Sequence, residues 1–183
     1  MKMAAVLKAP GHVRKSFLWT RPACQRNEES DLLNIFVDAD ACPVKSEVYR
    51  VADRYRLEVT LVANSRMRVP KNGRVALKVV AEGPDAADDW IADQVASGDI
   101  VVTADIPLAS RCIKKGARVI APTGKPFTED NIGSAVAGRD LMSGLRSAGE
   151  ITAGPPPLQK RDRSRFLQQL ENAIQAVRRE HAI

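Results

Sequence analysis

The chain has 183 residues, 44% of them hydrophobic and 4% aromatic, with a formal net charge of +6. That length fits one domain with extensions, and the scarcity of aromatics leaves a core of Val, Ile, Leu and Ala. No stretch approaches the roughly 20 unbroken apolar residues of a membrane span, Met1–Pro10 is too brief for a secretory signal, and Cys24, Cys42 and Cys112 form neither a CxxC pair nor a zinc spacing, so a membrane span, a disulfide framework and a zinc site are set aside in favour of a cytoplasmic protein with reduced thiols.

Residues 1–31 mix Lys8, Arg14, Lys15, Arg21 and Arg26 with Pro10, Gly11 and Pro22 and show no period, which reads as a basic, disordered extension. Order is expected from there to residue 183. Asn34–Asp38 is a short apolar strand that stops at an acid. Pro43 then opens a helix whose Val44, Val48, Val51, Ala52 and Tyr55 recur at helical spacing. Leu57–Ala63 and Val75–Val80 are two further strands separated by the basic loop Asn64–Arg74, the one place where a hairpin competes with a parallel crossover. Pro84–Ala96 reads as a helix, Asp99–Thr103 as a fourth strand, Pro107–Lys115 as a helix stopped by Gly116, and Ala117–Ile120 as a fifth strand. Beyond Pro122 the pattern is helical but looser. Gly149–Pro157 is a Gly/Pro linker, and 162–180 a basic amphipathic helix with Phe166, Leu167, Leu170, Ile174 and Val177 on one face. Strands alternating with helices imply an α/β domain with a mainly parallel, five-stranded sheet and C-terminal helices.

In such sheets ligands bind outside the carboxyl ends of the strands. The first strand ends there in Asp38 and Asp40, and the fourth is followed by Asp105. The intervening helix begins with Asp85, Asp88 and Asp89. Carboxylates that converge repel one another unless a cation lies among them, and an all-oxygen set suits Mg2+ or Mn2+. The chemistry open to such a centre is hydrolysis of a phosphodiester. Each acid alone reads better as a helix cap that accepts backbone N–H bonds; the set of them, arriving from three elements, points to a metal centre. Asp85 is the most cap-like, and Asp99 stands at the wrong end of its strand.

The remaining candidates support this centre or stand apart from it. Thr103 and Ser46 either hydrogen-bond water on a metal or are ordinary cap residues, and Lys45, one helical turn from the acids, is a candidate to touch a phosphate. Cys42 has no histidine to serve it as a nucleophile, since His12 and His181 lie in the tails. Basic residues concentrate at Arg66, Arg68, Lys71 and Arg74, at Lys114, Lys115 and Arg118, and at Lys160–Arg165. Basic rims around an acidic centre suit a nucleic acid, whose backbone they hold. Sparse aromatics leave little base stacking for sequence-specific reading of single strands.

From Asn34 to about Ile174 the chain resembles the YaiI/YqxD family of bacterial proteins, whose domain is assigned to the PIN-like group. The resemblance is carried by Ile35–Lys45 (IFVDADACPVK), Gly83–Ile91 (GPDAADDWI), Gly98–Ala109 (GDIVVTADIPLA), Gly124–Phe127 (GKPF) and Arg161–Phe166 (RDRSRF). It implies a three-layer PIN-like domain over 32–183. It also implies an acid after strand one, one on a central helix and one after strand four. Asp38, Asp88 or Asp89, and Asp105 match those positions, with Asp40 as an additional metal ligand and Asp38, Asp88 and Asp105 as the catalytic set. Arg161, Arg163 and Arg165, with Lys45, Arg66 and Arg68, are the expected substrate contacts. The Arg161–Phe166 segment has no counterpart in the general PIN plan; its arginines either reach phosphate or lock the last helix onto the core.

The leading expectation is a metal-dependent endoribonuclease using Mg2+ or Mn2+, with RNA favoured over DNA by the resemblance. The alternative is a non-catalytic RNA- or ribosome-associated binding protein. A haloacid dehalogenase-like phosphatase comes last, since Asp38-x-Asp40 resembles its nucleophile motif but Asp88 and Asp89 precede Thr103, against that family's order. No feature of the sequence names a protein partner.

Overall fold

The computed structural model describes residues 33–40, 42–80, 83, 85–148 and 157–181. The expected basic extension, most of the Gly/Pro linker, Cys24 and His12 lie outside them. Five helices and six strands follow one another as β1 (Asn34–Asp38), α1 (Lys45–Tyr55), β2 (Glu58–Ala63), β3 (Val75–Val79), α2 (Ala86–Gln94), β4 (Ile100–Val102), α3 (Ile106–Ile113), β5 (Arg118–Ile120), β6 (Pro126–Phe127), α4 (Glu129–Ser147) and α5 (Lys160–His181) among the described residues.

The strands lie in the order β3-β2-β1-β4-β5-β6. β1 pairs in parallel with β2 on one side and β4 on the other. It therefore needs apolar side chains on both faces. Ile35 and Val37 enter a core shared with α1 and α5, while Phe36 enters a second core shared with α2 and α3. These two cores on either side of one sheet make the expected three layers. On α1 the spacing of Val44, Val48, Val51 and Ala52 buries all four. That helix ends where Arg56 turns left-handed at φ 55° and Leu57 N–H bonds back to Ala52 O. On α5, Phe166, Leu170, Ile174 and Val177 are buried as their spacing predicts.

One open point closes and one expectation changes. The basic loop after β2 does not close a hairpin: β2 and β3 run parallel, with Val59 opposite Val75 and Ala63 opposite Val79. Instead of a helix, the crossover is an extended chain that packs Met67 and Val69 against the α1–α5 core, so hydrophobic burial of the loop itself carries the strand back to its start. Beside the five parallel strands there is also a sixth, the two-residue β6, antiparallel to β5. Gly124, at φ +79°, makes the turn, and Ala121 N–H donates to Lys125 O across it. A strand this short, containing Pro126, leaves no periodic signal. The looser segment after Pro122 is the continuous helix α4, which packs on α3 and leaves Leu141, Met142 and Leu145 exposed. No helix among the described residues is long and apolar enough to cross a membrane.

Candidate functional site

The strand order reverses direction between β1 and β4, and a crevice outside the carboxyl ends of such strands is where open α/β sheets bind ligands. Asp38 is the last residue of β1, Thr103 follows β4, and Asp105 is the N-cap of α3. Asp88 enters from the first turn of α2. Three elements far apart in sequence thus direct acids to the switch point.

Hydrogen bonds fix Asp38, Asp40 and Asp105. Asp38 Oδ2 accepts the Thr103 hydroxyl at 3.0 Å, and Thr103 Oγ1 accepts Asp105 N–H at 2.9 Å. Asp105 Oδ1 caps α3 by accepting Leu108 N–H at 2.8 Å. Asp40 Oδ2 accepts Asn64 N–H at 2.8 Å, joining the β1–α1 loop to the end of β2. In each case the carboxylate accepts at least one hydrogen bond of a structural kind.

Electrostatics ties the group together. Burial raises Asp38 above the ordinary carboxylate range, the like charges of Asp40 and Asp105 raise it further, and the Thr103 hydrogen bond opposes them. Burial also pushes Asp88 up, to about 6, helped by the charges of Asp105, Asp38 and Asp85. Of the two acids the sequence left open on α2, Asp88 faces this centre. Asp89 instead pairs with Arg111 of α3 at 2.7 Å. Asp85 occupies the N-cap position of α2 with φ 63°, yet its side chain makes no cap hydrogen bond, so the cap-like acid adds charge rather than a cap. Asp99 is buried at the far end of β4, accepting Asn34 N–H and Ala96 N–H, a structural role.

The donor set is all oxygen and suits a hard cation. Among the described residues, however, no three His, Cys, Asp or Glu side chains stand close enough to hold a metal ion directly. An ion such as Mg2+ keeps several waters and takes only one or two carboxylates, so it does not require three close side chains.

The other sequence candidates divide. Lys45 Nζ donates to Ala39 O at 2.7 Å and so braces the β1–α1 loop, while Ser46 donates to its neighbour Glu47 Oε2 at 2.9 Å within α1. Arg66 and Arg68 project from the β2–β3 crossover without an acidic partner among the described residues, and Arg161 is likewise exposed on the first turn of α5. Arg165 lies 3.7 Å from Asp162. Arg163 is engaged with Glu47 at 2.6 Å and with the Pro43 carbonyl at 3.2 Å. Glu47 was not among the sequence candidates, although it falls on the same helical face as Val44, Val48 and Val51. Asn64 also escaped notice, for its contribution is a backbone amide. A separate cleft of about 540 Å3 lies between α5 and the β5–β6 edge, lined by Arg118, Phe127, Asn172 and Arg179 among others; none of the aspartates of the centre lines it.

The family described as "Uncharacterized BCR, YaiI/YqxD family" matches residues 36–176, a span that holds the whole aspartate centre. The chain belongs to the YaiI/YqxD family. It is 58% identical over 151 residues to a UPF0178 protein of Rhodopseudomonas palustris, covering 82% of this chain and 96% of the relative. Over 148 residues it is 57% identical to one from Rhodospirillum rubrum, covering 80% and 99%, and over 147 residues 56% identical to one from Azorhizobium caulinodans, covering 80% and 92%. No solved structure matches the chain. The layering of this YaiI/YqxD protein is compatible with the PIN-like plan.

Proposed function

We propose that the aspartate centre of this YaiI/YqxD protein hydrolyses phosphodiester bonds of RNA with Mg2+ or Mn2+ as cofactor. The observation that supports this reading is the convergence of Asp38, Asp88 and Asp105 at the switch point, with Asp38 and Asp88 both raised by burial first and by their neighbours' charge second. Carboxylates held together against repulsion bind a cation that relieves it. One or two of Asp38, Asp40, Asp88 and Asp105 would hold the ion directly, and the others would hold its waters. Bound there, it would supply an activated water and neutralise charge developing on the phosphate.

The chain's own residues do the rest. Thr103 orients Asp38, and the cap on α3 orients Asp105. Arg66, Arg68 and Arg161, with no acidic partner among the described residues, would hold backbone phosphates. The preference for RNA over DNA rests on the PIN-like resemblance. The test is incubation of labelled RNA and single-stranded DNA with Mn2+ or with EDTA, beside an Asp38→Asn/Asp105→Asn double variant. Asn caps helices as well as Asp, so the charge at 105 is removed while α3 keeps its cap. Cleavage of RNA that needs the metal and is lost in the variant is expected.

The second reading, an RNA- or ribosome-associated binding protein, is favoured by one observation: Asp38, Asp40 and Asp105 each already accept a hydrogen bond of a structural kind. No cleavage, with RNA binding equal in the parent and the variant, would select it.

A further inference from the structure

The buried acid of α1 has one cationic partner among the described residues, and that partner belongs to the segment of the chain the PIN plan leaves unexplained. Glu47 is 8% exposed, and its Oε1 accepts Arg163 Nη1 at 2.6 Å. The same Nη1 reaches the carbonyl of Pro43, the residue leading into α1, at 3.2 Å. Glu47 Oε2 takes the Ser46 hydroxyl. Desolvation would raise the Glu47 carboxyl, but the hydrogen bonds from Arg163 and Ser46 hold it below its ordinary range, so the pair is ionised and closed.

The first turns of α5 are seated on their other side as well. A Cβ on Gly124 would fall 2.5 Å from Phe166 N and 2.7 Å from the Arg165 carbonyl carbon. Only glycine lets the β5–β6 turn approach the α5 backbone so closely, and only there is φ +79° free of strain. Phe166, fully buried beside it, anchors the helix in the core. The GKPF and RDRSRF segments are thus two halves of one contact, and Arg163 extends from it to the loop after β1. That loop carries Asp40 and ends at Lys45, whose ammonium returns to Ala39 O.

We propose that Arg163 is a positioning residue of the aspartate centre, fixing the β1–α1 loop through Glu47 and the Pro43 carbonyl. This rests on the reading of the aspartates as the working site, and its test does not use activity. A second ion pair, Arg54 with Glu171, also joins α1 to α5, away from that loop, and so provides a matched control.

Amide hydrogen exchange is compared in the parent, Arg163→Gln, Glu47→Gln, Arg163→Lys and Arg54→Gln. The reporters are Ala39 N–H, which donates to Val62 O, and Asn64 N–H, which donates to Asp40. In Arg163→Gln both amides are expected to exchange about tenfold faster, the loss of one charge-assisted contact, while Val101 in the centre of the sheet does not change. Glu47→Gln should reproduce this, Arg163→Lys restore part of the protection, and Arg54→Gln leave both amides as in the parent. Equal effects of Arg163→Gln and Arg54→Gln, a uniform acceleration that includes Val101, or no acceleration would each overturn the proposal. Should Arg163→Gln not fold, Glu47→Gln against Arg54→Gln makes the same comparison. The nuclease assay above decides the catalytic reading separately.

Discussion

Thr103 and Asp38, 65 positions apart, meet in a 3.0 Å hydrogen bond, and the same hydroxyl oxygen accepts the amide of Asp105 at 2.9 Å. One side chain, 1% exposed, thereby links the acids that follow the two central strands. Thr103→Val keeps the shape but deletes both bonds and leaves polar groups unsatisfied next to the core. A loss of about 1–3 kcal/mol in urea denaturation is expected, with Thr103→Ser keeping most of it. A cost near zero would mean that water replaces the hydroxyl.

Asp88 gives the protein a stability that depends on pH in a stated direction. Folding raises its carboxyl from 3.8 to about 6, so the native state binds this proton more tightly than the unfolded chain. The stabilisation is full below about pH 4 and is lost as pH rises through about 6. Asp88→Asn carries no charge at any pH. In EDTA it should be more stable than the parent by about 1–2 kcal/mol near neutrality, a figure reduced for partial exposure, and the gain should vanish in acid. Thermal melts across that range check it; a gain that is the same at both ends would assign the effect to packing.

Gly124→Ala should be among the most damaging small substitutions in the chain. It combines a φ of +79° with a Cβ forced against Phe166 N. A destabilisation of about 2 kcal/mol or more is expected from chemical denaturation. By contrast Gly138→Ala, where a Cβ meets nothing within 4 Å on the helix α4, should be neutral or stabilising by up to about 1 kcal/mol.

Divalent cation should stabilise the parent and not the Asp38→Asn/Asp105→Asn variant. A ligand that binds only the native state adds about 2.7 kcal/mol at a hundredfold excess over its Kd, so millimolar Mg2+ or Mn2+ should raise Tm by several degrees. An unchanged Tm in the parent would remove the metal from the proposed function. A rise of the same size in the variant would place the ion elsewhere.

Much of the fold was legible because its signals are local. Apolar runs stopped by acids gave β1 and β4, and helical spacing gave α1 and α5, down to the buried set Phe166, Leu170, Ile174 and Val177. The acids at the carboxyl ends followed from the same reading, since a parallel sheet sends every strand end to one edge. The β2–β3 connection was not decided locally: a hairpin and an extended crossover use the same turn residues, and only burial of Met67 and Val69 under the helices selects the crossover. Nor did β6, two residues long, leave any trace of its own.

By itself, then, the sequence determined the layers, the family and the identity of the acids. The tertiary structure decided which acids share a field. Asp88 and Asp89 are adjacent and chemically identical, yet helix phase turns one toward Asp38 and Asp105 and the other toward Arg111. Arg161, Arg163 and Arg165 likewise look equivalent in sequence, and the position of a single buried carboxylate, Glu47, removes Arg163 from the free cations. Charge type is written in the side chain, but its partner is set by which elements packing brings within a few ångströms, a distance over which Coulomb energies change severalfold.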